Sequence, residues 1–232
     1  MDDPPHAITD GEIAVALTLY SHPFSSYCQK VLTALWEKQF AFTYRHMEEE
    51  GAGQELAGLW PMGKFPVLVD DGRVVAETSI IIEYLEQTHG GPVSLIPADP
   101  ETALETRFLD RFFDQHVMTP MQAPVAEALR GEKADRLEEV KARAASALDT
   151  AYAWLEQRLS GRTWAVGDMF SMADCAAAPA LFYADWVHPI SPQYPVLRDY
   201  RARLLARPSF ARAVEEGRPY RHYFPLGAPD RD

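Results

Sequence analysis

At 232 residues the chain is long enough for one large domain or two small ones, and 47% hydrophobic with 24% charged residues is the balance of a water-soluble globular protein. A net charge of −12 argues against nucleic acid or an anionic membrane as a partner, because both select clustered Lys and Arg. Two cysteines fit a reducing compartment rather than a disulfide scaffold. The acidic start carries no apolar signal segment, and the longest apolar run, residues 175–184, is far short of the ~20 residues of a membrane span; the expected location is the cytoplasm.

In chain order, residues 1–14 carry two prolines and no periodicity and read as a loose tail. Val15–Tyr20 is an apolar strand, Ser25–Lys38 a helix, and Phe40–His46 alternates as a strand does. Glu48–Leu59 holds three glycines, so any helix there is irregular. Pro66–Val69 and Arg73–Ala76 flank Asp70-Asp71-Gly72, a strong hairpin signal, and a helix follows over Thr78–Thr88 with Gly90-Gly91 as its stop. Residues 15–91 therefore form a compact α/β unit. Pro92, Pro97 and Pro100 mark a linker over 92–100, and strand signals vanish beyond it. Leu104, Phe108 and Phe112 recur at helical spacing, and Asp135–Leu159 reads as one long amphipathic helix. Ser171 followed by Asp174 resembles a capping box before a helix that is apolar all round, the expected centre of an all-α unit over 101–232. Val196, Tyr200 and Leu204 define another helix that stops near Pro208.

Three short stretches carry chemistry. Ser25-Ser26-Tyr27-Cys28 opens a helix straight after a buried strand, where main-chain N–H groups and the helix dipole favour an anion. Its S-x-x-C spacing is that of a C-x-x-C redox motif with the first cysteine replaced by serine. Such a serine cannot form the disulfide of a dithiol cycle, yet its hydroxyl can donate to another molecule's thiolate; the plain alternative is a helix N-cap. Cys28 falls on the apolar face and reads as a small core residue. Pro66, between Phe65 and Val67, is either an edge-strand proline or a cis-proline that turns the preceding main-chain groups outward toward an extended peptide. Glu77-Thr78 at a helix start is either a cap, or a carboxylate for an ammonium beside a hydroxyl and free N–H groups for a carboxylate. The pair then suits a zwitterionic amino-acid end.

These motifs together resemble the cytosolic glutathione S-transferases over nearly the whole chain. Ser25–Val31 is similar to the S-S-C-S-W-R-V run of the zeta and theta types, Trp60–Pro66 to the zeta-like N-P-M-K-Q-V-P run, and Glu77–Leu85 to the family's Q/E-S-x-A-I-x-x-Y-L. Tyr27, Trp60, Thr78 and Ile80 depart from those patterns. The resemblance implies a thioredoxin-like N-terminal domain, an all-helical C-terminal domain and a homodimer. It implies glutathione as co-substrate, with Ser25 on its sulfur, Phe65 pairing main chain with the cysteinyl unit, Lys64 near the glycine carboxylate, and Glu77 and Thr78 on the γ-glutamyl end. Tyr20 is the rival thiolate stabiliser. Phe24, Phe112, His116, Phe113, Met118 and Trp186 are the side chains that could line a pocket for a small hydrophobic electrophile, with core packing as the alternative for each. None of the seven histidines stands at metal-ligand spacing, so no metal is expected. The implied activity is glutathione transfer or glutathione-dependent isomerisation; a glutathione-fold protein that binds or assembles without turnover is the other class.

Overall fold

The computed structural model describes residues 17–131 and 134–232, so the tail expected over 1–14 lies outside the described residues. The chain begins β1 (Leu17–Ser21), α1 (Ser26–Glu37), β2 (Thr43–His46), α2 (Ala52–Leu59), β3 (Val67–Asp70), β4 (Arg73–Ala76) and α3 (Thr78–His89). These make a four-stranded sheet in the order β2-β1-β3-β4, with β1 parallel to β2 and the other pairs antiparallel. The expected hairpin is present. Asp71 and Gly72 take φ of 44° and 82°, the left-handed pair that matches the twist of a two-residue turn. The expected strand over 40–46 is shorter, since only Thr43–His46 pair with β1.

The second half is helical: α4 (Pro100–Phe112), a π-helical stretch (Phe113–Met118), α5 (Thr119–Arg130), α6 (Ala134–Arg158), α7 (Met172–Val187), α8 (Pro195–Ala206), α9 (Pro208–Gly217) and a 3-10 turn (Arg218–Tyr223). Pro208 was expected as a stop. It also starts α9, because proline at the first helical position loses only an N–H that has no intrahelical partner there. The apolar helix predicted after Ser171 is α7, buried nearly all round, with alanines that let α1 and α4 pack against it. Its capping box forms. Asp174 accepts the Ser171 N–H at 2.8 Å, the Ala165 N–H at 2.8 Å and the Tyr200 hydroxyl at 2.7 Å.

Helix α1 joins the two halves. Leu17, Leu19, Val31, Leu32, Leu35, Leu68, Ile81 and Leu85 form one core against the sheet, while Ala34 and Ile82 belong to the larger core around α7. Polar contacts pin the same seam. Gln29 donates to Pro23 O (2.9 Å) and Tyr183 Oη (3.2 Å), Tyr183 donates to Phe24 O (2.9 Å), and Glu37 takes a paired contact from Arg207 at 2.8 and 2.6 Å. The turn between β1 and α1 is thus held from both halves of the chain.

Candidate active site

Ser25 is the N-cap of α1. Its backbone is extended, and its Oγ accepts the Cys28 N–H at 3.4 Å. Capping occupies a lone pair and leaves the hydroxyl proton to be donated elsewhere, so the two readings of this serine coexist. Cys28 is fully buried; burial pushes its thiol up, and it accepts the His22 N–H at 3.4 Å. It is a core residue. Tyr20 donates its hydroxyl to Glu55 at 3.1 Å, in a surface cluster that includes Arg45.

The Phe65–Pro66 peptide is cis. From the hairpin that follows it, the chain enters α3 through Glu77 at φ 70°, a left-handed conformation that a non-glycine residue holds only when its surroundings impose it. No side chain caps α3, so its first-turn N–H groups face outward for an acceptor. They open on a cavity of about 550 Å3 lined by Lys64, Phe65, Pro66, Glu77, Thr78 and Ser79, with Tyr27 and Trp60 beside them and Arg111, Asp114 and Gln115 across. The fold thus brings Lys64, Phe65, Glu77 and Thr78 to one place, as the motifs implied. Ser25 lies two residues before Tyr27, at the α1 end of that wall, and is not itself part of the lining.

The electrophile-pocket assignments fare differently. None of Phe24, Phe112 and His116 lines the cavity. Phe112 stacks on Trp154 of α6 at 4.3 Å, His116 lies 5.0 Å from Phe112 and is exposed, and Phe24 packs edge-on against Tyr183. Helical geometry gives the reason. Phe108, Phe112 and His116 share the face turned to α6, whereas Arg111, Asp114 and Gln115, at spacings of three and four, share the face turned to the cavity. Phe113 and Met118 are core.

Sequence reasoning missed the floor of the site. Lys30 of α1 is 1% exposed, with its ammonium 2.6 Å from Asp110 Oδ1 and 2.9 Å from Asp114 Oδ2, and it donates to Ser79 Oγ at 3.0 Å. Ser79 donates onward to Asp110 at 2.6 Å. Burial raises the Asp114 carboxyl, opposed by Lys30 and reinforced by Asp110, and its Oδ1 has no partner. An ammonium among apolar neighbours on a buried helix was the available signal. The fold also brings His22, His46 and Glu48 together, their ligand-type atoms within 4.8 Å of one another, although they are far apart in sequence.

A sheet-and-helix domain joined along α1 to a helical bundle, with a cis-proline hairpin and an open helix start in one cavity, is the thioredoxin-like plus all-α architecture. The chain matches the N-terminal glutathione S-transferase domain over residues 19–93 and the C-terminal one over 138–203. It is 32% identical to a glutathione S-transferase of Pseudomonas putida, covering 68% of this chain and 70% of that protein. It is 29% identical to a probable maleylacetoacetate isomerase of Vibrio cholerae, covering 88% and 98%. A glutathione S-transferase structure from Methylobacillus flagellatus with glutathione bound superposes with a TM-score of 0.73 at 27% identity, covering 85% and 98%. The chain belongs to the glutathione S-transferase family.

Removing one partner from a buried ion pair costs about 3–5 kcal/mol. Lys30→Met is expected to destabilise by that amount. Without Lys30, which opposes it, burial holds the Asp114 carboxyl further above the ordinary carboxylate range in the folded state, so the loss grows as pH rises through and above that range. Urea unfolding of both proteins between pH 5 and 8 checks this. A loss under about 1 kcal/mol, or one that does not change with pH, contradicts it.

Proposed function

We propose that the chain binds glutathione in the cavity between the Phe65–Pro66 hairpin and α4. There it activates the thiol for attack on a small hydrophobic electrophile or for a glutathione-dependent isomerisation. The observation that carries this reading is the uncapped start of α3, with Glu77 held at φ 70°, in one cavity with Lys64 and the cis Phe65–Pro66 peptide. The α-carboxylate of the γ-glutamyl end sits on the N–H groups and hydroxyl of Thr78, its ammonium on Glu77, and the glycine carboxylate near Lys64. The Phe65 main chain pairs with the cysteinyl unit, which points the sulfur at the N-terminus of α1. Ser25 donates its hydroxyl proton to that sulfur, and the first-turn amides of α1 add their dipole. A free thiol titrates near 8.5, so lowering by roughly one to two units leaves it mostly ionised at neutral pH. The names of the Vibrio and Pseudomonas relatives accord with both reaction types.

Two further assignments belong to this reading. Both cysteines are unpaired and buried, and no described helix is long and apolar enough to cross a membrane, which accords with the cytoplasm. The chain works as a homodimer that joins through α4. Leu104 and Phe108 stand 68% and 50% exposed on that helix, Phe108 edge-on to Trp154 of α6, an apolar seam that a symmetric partner buries. Light scattering at micromolar concentration is expected to give twice the mass of one chain, and Phe108→Glu to reduce it to one; a single-chain mass for the unaltered protein contradicts the dimer.

One hydrogen bond to a charged group is worth about 1.5–3 kcal/mol, so Ser25→Ala is expected to lower kcat roughly ten- to a hundredfold while KM for glutathione changes less than about threefold. Glu77→Ala acts far from the sulfur and is expected to raise KM with little effect on kcat. Steady-state kinetics with an aryl halide reads both, and the opposite split between kcat and KM overturns the placement of the tripeptide.

A further inference from the structure

The turn that carries Ser25 runs from Ser21, the last residue of β1, to the N-cap of α1, and His22 makes three of its hydrogen bonds. The carbonyl of His22 accepts the Ser25 N–H at 3.0 Å, its N–H reaches Cys28 Sγ at 3.4 Å, and its ring Nδ1 accepts the Phe24 N–H at 3.1 Å. The other edge of the ring faces a different part of the chain. His22 Nε2 lies 3.4 Å from Glu48 Oε1, which also accepts the Tyr223 hydroxyl at 2.9 Å. The Tyr220 ring packs edge-on to His22 at 4.8 Å, and its hydroxyl lies 3.3 Å from His46 Nε2. Tyr220 and Tyr223 belong to the 3-10 turn after α9, some two hundred residues away in sequence.

Two histidines and a glutamate so close together invite a metal ion, and the other ring nitrogens decide against one. His22 Nδ1 accepts the Phe24 N–H, and His46 Nδ1 accepts the Glu48 N–H at 3.1 Å. A neutral imidazole carries a single N–H, so in each ring it resides on Nε2, where a metal would need a lone pair. Ligating histidines show the reverse, with the second nitrogen donating. The cluster is instead a hydrogen-bonded clasp.

We propose that His22 is a positioning residue for thiol activation. Its neutral ring, braced by Glu48, Tyr220 and Tyr223, fixes the turn that aims the Ser25 hydroxyl at the glutathione sulfur. This rests on the role given to Ser25 above. The groups that face the ring are His46 on β2, Glu48 just beyond it, Cys28 on α1, and Tyr220 and Tyr223 on the 3-10 turn. Burial holds the His22 ring below the ordinary histidine range, with Glu48 opposing and His46 reinforcing. At neutral pH the ring therefore accepts. As pH falls through that lowered value, Nδ1 gains a proton, the Phe24 bond is lost and turnover falls.

Two variants of the full chain separate the acceptor from the bulk of the ring. His22→Asn places an oxygen where Nδ1 stood, whereas His22→Gln places its amide toward Nε2 and leaves Phe24 without an acceptor. Steady-state kinetics across pH and amide hydrogen exchange of Phe24 and Ser25 without glutathione are read for both. One neutral hydrogen bond corresponds to roughly three- to tenfold, so His22→Gln is expected to lose that much kcat, with KM for glutathione within about twofold and faster exchange at Phe24. His22→Asn is expected to recover most of kcat and the slow exchange, and to keep only the acid limb set by the thiol itself, without the further fall from His22 protonation. Equal losses in the two variants, or unchanged Phe24 exchange in His22→Gln, overturn the proposal. The exchange readout does not depend on Ser25 being catalytic. Faster Phe24 exchange alongside full turnover in Ser25→Ala overturns the Ser25 role, and with it the catalytic consequence claimed for His22.

Discussion

Helix α1 is enclosed on every side, and it carries a lysine. Between the sheet and the bundle the Lys30 side chain is 1% exposed, and an unpaired buried charge costs more than most single contacts return. Asp110 and Asp114, one turn apart on α4 and its π-helical continuation, are the acids that meet it. This requirement fixes how α4 lies against α1 and α3. Once Asp114 faces inward to Lys30, Arg111 and Gln115 on the same face become the far wall of a cavity whose near wall is the start of α3. The site is shaped by the demand to neutralise one charge.

Groups around the site serve two tasks at once. Ser25 spends a lone pair on capping α1 and keeps its proton. Ser79 accepts from Lys30 and donates to Asp110 while its main chain stands in the open first turn of α3. Glu77 carries the left-handed φ that swings the chain from the hairpin into that helix, and it also lines the cavity. A residue with a structural and a chemical task is held in place before a ligand arrives, so less ordering remains to be done on binding.

Much of this was legible in the sequence wherever a local rule decides the outcome. Asp71-Gly72 fixes a two-residue turn whatever surrounds it, Ser171 and Asp174 form their capping box within four residues, and the runs at Ser25, Lys64 and Glu77 each lie within one turn or helix start. What escaped depends on residues far apart. The helical spacing of Leu104, Phe108 and Phe112 drew attention to the face of α4 turned from the cavity, because the polar face is selected by Lys30, some eighty residues earlier. His22 and His46 meet because Ser21 pairs with His46 in the parallel register of β1 and β2, and Tyr220 joins them only through tertiary packing. Pro208 read as a stop because a proline ends one helix and begins the next with equal ease.

The central claim is that the N-terminus of α1 lowers the pKa of a bound thiol through Ser25. Ultraviolet titration of the thiolate in the glutathione complex tests it most directly. The account predicts an apparent pKa well below the ~8.5 of a free thiol in the unaltered protein and a return toward that value in Ser25→Ala at full occupancy. An equally low pKa in both proteins would contradict it and assign the stabilisation to the main-chain amides alone.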